Sequence, residues 1–199
     1  MYQPLPLFPP LFPPGKWWRL FLASVLGGKS FEKGIVRANK GSGIKSRDWM
    51  RIYLTPQSRI SVPVSGGAST LKNYPPESWT LSGEAAATAR TMGATLATLY
   101  GRRPFFPAIE SWESVIPAPV PADFSARSVC ADAFRKCAAL LGLYDVSLIQ
   151  TMEDTIKSGN GRIRAVCSDS ERYFNPDLSI LDLLATLGPD AIFPLLPPF

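Results

Sequence analysis

Proline sets the limits within which this chain can fold. Its 199 residues include twenty prolines, six of them within residues 1–14, five from Pro104 to Pro121 and four from Pro189 to Pro198. Each fixes its own φ near about −65° and removes a backbone donor, so regular helix and sheet are confined to the stretches between the clusters. Residues 1–14, MYQPLPLFPPLFPP, carry LFPP twice in succession, and so dense a run is expected to lie extended, close to polyproline II. The same flavour returns in Ile192-Phe193-Pro194-Leu195-Leu196-Pro197-Pro198-Phe199 and, inside the chain, in Phe105-Phe106-Pro107. Exposed apolar surface costs roughly 25 cal/mol per Å², so both ends are read as arms that dock, on a neighbouring molecule or on the chain's own core. Leu7, Phe8, Leu11, Phe12, Phe193 and Phe199 are the expected assembly contacts, and the helix and hairpin signals of residues 17–188 are expected to fold without them.

Hydrophobic residues make up 46% of the chain and charged residues 19%, enough apolar content for one packed domain. Histidine is absent, which removes Ser-His-Asp and Cys-His catalysis, His-ligated metals and the usual proton shuttle near neutral pH. Three cysteines, Cys130, Cys137 and Cys167, show no CxxC spacing and cannot all pair with one another. With no glycosylation sequon, no apolar run of membrane-spanning length and no signal-peptide pattern, the expected setting is intracellular and reducing, the cytoplasm or a virion interior, and not secreted. Nothing in the composition calls for a cofactor or a metal, and no enzyme activity is expected.

Charge divides the chain in two. Residues 1–60 hold ten basic residues against Glu32 and Asp48, a balance of +8, while the remainder carries −3. Between Gly15 and Arg47 the cations alternate with aromatics, among them Trp17, Trp18, Phe21 and Phe31. A polyanion needs cations for its phosphates and gains about 1–3 kcal/mol per base from exposed aromatics. Lys16, Arg19, Lys29, Lys33, Arg37, Lys40, Lys45 and Arg47 are therefore the candidate nucleic-acid contacts. The same composition suits an anionic membrane surface or an acidic protein partner, including a second copy of the chain meeting it head to tail. The plainest alternative is a solvated positive face with the tryptophans in a core.

Periodicity predicts a mainly α fold with a small β-hairpin, of the α+β class, flanked by extended proline-rich N- and C-terminal arms. Its organisation reads as an arm over 1–15, a basic segment over 16–48, a core domain over 49–188 and an apolar arm over 189–199. Trp17 to Leu26 suits a short helix or buried strand, and glycines 34, 41 and 43 then predict loops and turns. Trp49 to Leu54 and Arg59 to Val64 read as a hairpin around Thr55-Pro56-Gln57-Ser58, followed by a polar loop from Ser65 to Pro76. A helix capped by Ser82 should run to Tyr100 and stop at Gly101, with Gly83 and Gly93 marking a closely packed face. A second is expected from Ser125 to Leu141, a third after Asp145, and a short strand from Arg162 to Cys167. Asn175-Pro176-Asp177 reads as an N-cap with proline in the first turn, leading through Leu178, Leu181, Leu184 and Leu187 to Gly188-Pro189.

One chemical motif needs weighing. Ala23-Ser24-Val25-Leu26-Gly27-Gly28-Lys29-Ser30 fits a relaxed phosphate-binding loop, in which Lys29 would reach the phosphates and Ser30 a magnesium ion. A nucleotide-binding protein is accordingly one alternative, though Gly34 and Lys40-Gly41-Ser42-Gly43 spoil the helix that such a loop requires. Glu153-Asp154 and Asp169 with Glu171 suit a solvated surface, and Cys130 and Cys137, seven apart on one helix, suit core packing.

The Ala-rich helix followed by Gly101-Arg102-Arg103-Pro104-Phe105-Phe106 resembles a helix and basic Pro-Phe turn of vesiculovirus matrix proteins. Ala-rich helices of nucleoproteins from segmented negative-strand viruses are similar too. Both resemblances imply a multimerising viral structural protein that contacts RNA or membrane. The function expected from the sequence is that of a non-enzymatic structural protein, of capsid, nucleocapsid or matrix kind, that forms a homo-oligomer or joins a multi-subunit complex and contacts nucleic acid. A subunit of a ribosome or respiratory assembly is the cellular alternative.

Overall fold

From Phe8 to Pro14 the proline-rich segment is part of the core. In the computed structural model, which describes residues 8–143 and 174–196, Phe8, Leu11 and Phe12 are buried as deeply as any helix residue. Phe12 stacks on Trp112 and Phe8 meets Trp49 edge-on. This corrects the expectation of a detachable arm for these three residues. Proline forbids a hydrogen-bonded ladder and leaves burial open, so the segment threads between elements and borrows its partners from them. Leu11 N–H donates to Trp49 carbonyl at 2.9 Å, Pro13 carbonyl accepts from Ile180, and Pro14 bridges Ser179. Leu7 and Phe199 lie outside the described residues.

Helix α1 (Gly15–Leu26) follows at once. Pro14 supplies no side-chain cap, and the first amides of α1 turn instead to a distant part of the chain. Gly15 N–H donates to Leu178 carbonyl at 3.0 Å and Lys16 N–H to Pro176 carbonyl at 2.9 Å, satisfying donors that a helix start leaves orphaned. The inner face of α1 places Trp17, Trp18 and Phe21 in one aromatic cluster with Phe134.

Where glycines predict loop, the chain forms a second helix, α2 (Phe31–Gly41), which follows a two-glycine turn and packs against α1. Ser30 caps it, its hydroxyl accepting from Lys33 N–H. Gly34 is there for space: a β-carbon would come within 3.0 Å of Val25 and 3.1 Å of Phe21. The residue that lowers helix propensity is the one that lets two helices approach.

Strands β1 (Arg51–Tyr53) and β2 (Arg59–Ser61) pair antiparallel, Ile52 opposite Ile60, around the expected turn. The expected polar loop contains a short helix, α3 (Gly67–Asn73), none of whose residues is buried. Helix α4 (Ala85–Tyr100) stops at Gly101 as expected, with Tyr100 hydroxyl donating to Leu54 carbonyl at 2.9 Å. Of its predicted close-packing glycines, Gly93 faces the Glu113 side chain and Gly83 faces open space. Helix α5 (Ala126–Leu140) is capped by Ser125 and buries Val129, Cys130 and Cys137.

Helix α6 (Ile180–Leu187) begins later than its sequence signal, with Ser179 as cap. Asn175 still accepts from Asp177 N–H, but the carbonyls of Pro176 and Leu178 are committed to α1. Beyond α6 the described part of the expected C-terminal arm is a 3-10 stretch (Gly188–Leu195) with Ala191, Ile192 and Leu195 in the core and Phe193 packed against it. The described chain is thus mainly helical with one two-stranded antiparallel sheet, and no described helix is long and apolar enough to cross a membrane. The helix after Asp145, the strand from Arg162 to Cys167 and the carboxylates at 153, 154, 169 and 171 lie outside the described residues.

Candidate polyanion-binding face

Folding sorts the eight candidate cations into three kinds. Arg19 is a structural anchor: its Nε donates to Pro194 carbonyl at 2.9 Å and its guanidinium lies 3.8 Å from the centre of the Phe174 ring. Lys16 pairs with Asp177 at 2.8 Å. Both fasten α1 to the C-terminal part of the chain. The remaining six point to solvent.

Four of these six, Lys29 just before the Ser30 cap and Lys33, Arg37 and Lys40 at helical spacing along the outer side of α2, line an open groove of about 610 Å³ with Glu32, Val36 and Gly41. Residues three and four apart share a helix face, so the opposite face is free to bury Gly34, Ala38 and Asn39. Asn39 fastens that inner face, accepting from Trp17 Nε1 at 2.9 Å and donating to Phe8 carbonyl at 3.1 Å. None of the four cations forms an ion pair with another described residue. Lys40 in the last turn and Glu32 in the first also complement the helix dipole.

Lys45 and Arg47 line a second open groove, with Arg51, Leu71 and Lys72. Lys72 was not legible as a partner of these residues, because α3, which carries it, reads as loop in the sequence. Arg51 is held by Asp48, and Arg47 approaches the same carboxylate at 3.8 Å.

The aromatic half of the expectation is overturned. Trp17, Trp18 and Phe21 are fully buried, and Phe31 packs edge-on against Phe21. The stacking platforms expected between the cations form the α1 core. The exposed large apolar side chains among the described residues are Tyr74, Leu99 and Phe105, none of them on α2.

The phosphate-loop motif sits between two helices instead of following a strand. Its amides are already committed: Gly27 N–H donates to Ala23, Gly28 to Val25 and Lys29 to Ser24 carbonyl. Ser30 hydroxyl caps α2. A phosphate loop works by presenting free amides, and these three close the end of α1.

Elsewhere, Cys130, Cys137 and Tyr100 are titratable groups buried in the core. Burial pushes the thiols of Cys130 and Cys137 well above their usual range, which suppresses thiolate chemistry. Burial likewise raises the phenol of Tyr100. Among the described residues no cluster of three His, Cys, Asp or Glu is placed to hold a metal ion.

The chain matches no family model, no curated protein and no solved structure. The viral resemblance therefore rests on its own short stretch, in which Arg102, Arg103, Pro104 and Phe105 are exposed.

Proposed function

We propose that this protein acts without catalysis, as a component of a larger assembly that holds nucleic acid through the outer face of α2. The observation that carries the reading is the arrangement of Lys29, Lys33, Arg37 and Lys40: four solvent-facing cations without ion-pair partners among the described residues, one just before the cap of α2 and three on the helix, whose other face is fixed in the core. Held on a helix that is already fixed, these cations need no backbone ordering on binding, and they add counterion release, the main source of affinity for a phosphate polymer. The committed amides of Gly27, Gly28 and Lys29 speak against the nucleotide-binding alternative.

The test is a binding titration of the full chain with RNA and with DNA, alongside Lys29→Gln/Lys33→Gln/Arg37→Gln/Lys40→Gln. Wild type should bind with affinity that falls steeply with salt, and the variant should lose at least tenfold, about 1.4 kcal/mol, while its urea midpoint stays unchanged. Equal binding by the two proteins would refute the assignment of this face.

A further inference from the structure

Resting on the nucleic-acid reading above, we infer that the α2 face recognises the phosphate backbone of a duplex and reads neither bases nor single strands. Three observations point there. First, the tryptophans and phenylalanines that alternate with the cations in the sequence are buried in the α1 cluster or packed against it, so among the described residues no exposed aromatic ring stands beside the cations to stack an unpaired base. Sequence-tolerant single-strand binders depend on such stacking. Second, the groove between the cations is lined by Val36, Gly41 and one carboxylate, Glu32. It offers no Asn or Gln side chain to pair with adenine, and its lysines and arginine are the side chains that commonly meet phosphates, contacts that position without reading sequence.

Third, the length and charge suit a backbone. At about 1.5 Å rise per residue, the eleven residues of α2 cover about 16 Å, with Lys29 just ahead of the Ser30 cap, and over that length one strand of a duplex presents four or five phosphates at about 3.4 Å each. With contacts limited to charge, affinity follows charge density. A duplex carries one charge per about 1.7 Å of axis and exceeds a lone strand in that respect. The absence of exposed large apolar side chains on α2 also sets this face apart from membrane-surface helices, which insert such residues between lipid head groups.

The experiment compares the full chain's affinity for a short mixed-sequence duplex, as DNA and as RNA, with its affinity for each separated strand and for vesicles rich in phosphatidylserine. Duplex should bind more tightly than either strand, equally well after its sequence is scrambled. Four phosphate contacts predict a contribution to the log–log salt slope of about 3.6, or roughly a 100-fold loss between about 50 and about 200 mM salt. That contribution should vanish in the quadruple Gln variant. Single strands bound as tightly as duplex, through the same four residues, would overturn the duplex inference and leave the nucleic-acid reading standing. Binding to vesicles with none to either nucleic acid would overturn both.

Discussion

Asp182 lies in the first turn of α6, half-buried, and burial raises its carboxyl above the usual range although Arg103 pulls the other way. A carboxyl whose folded pKa is raised favours the native state while protonated and opposes it once ionised, so stability is lost as pH rises through the folded value. Asp182→Asn should therefore match wild type in acid and be the more stable protein at neutral pH, as read from urea midpoints across that range. An Asn variant that is weaker at neutral pH would show that the Arg103 interaction dominates. Gly34 offers a second test at this scale. Alanine is worth about 1 kcal/mol over glycine inside a helix, yet Gly34→Ala should destabilise. Phe21 is locked among Trp17, Trp18 and Phe134 and cannot yield, and overpacking costs about 1–3 kcal/mol. A thermal midpoint that rises in this variant would contradict the close α1–α2 approach.

Elements with local signals were legible: the Thr55–Ser58 turn, the Gly101 stop of α4 and the Ser125 cap of α5 are each set by residues within a few positions. Elements set by distant partners were not. Gly34 reads as a helix breaker until Phe21 and Val25 are seen beside it. Asn175-Pro176-Asp177 reads as the start of α6, while its carbonyls are spent on the start of α1 and Ser179 caps α6 instead. The proline segments misled most, because a sequence that cannot form a ladder looks excluded from a core. Phe8, Leu11 and Phe12 show otherwise. Deleting residues 1–14 removes two buried phenylalanines and a buried leucine, at about 3–5 and 2–5 kcal/mol by the scale of single truncations, which approaches the whole stability of a domain. The truncated chain should lack a cooperative thermal transition. A soluble, cooperatively melting product would return these residues to the role of an outer arm.

At the scale of the whole molecule, the two ends of the described chain close on one another. Lys16 and Arg19 of α1 are bound to Asp177 and to Pro194 carbonyl, and Ser179 hydroxyl donates to Phe12 carbonyl at 3.0 Å. The basic third of the sequence is thereby divided, its first two cations tied to the C-terminal part of the chain and the next four displayed at the start of α2 and along its outer face. The sign and position of the charge were readable from the sequence, since ten cations against two carboxylates cannot all be neutralised locally. Which cations stay exposed depended on packing, as did the loss of the aromatics to the core. Lysine acetylation mapped by mass spectrometry, on the native full chain with and without nucleic acid, tests the α2 face most directly. Lys29, Lys33 and Lys40 should lose reactivity on complex formation, while Lys136, bonded to Ser114 hydroxyl on α5's side of the fold, keeps its own. Protection confined to Lys136, or unchanged reactivity of the three α2-face lysines in a saturated complex, would contradict the account.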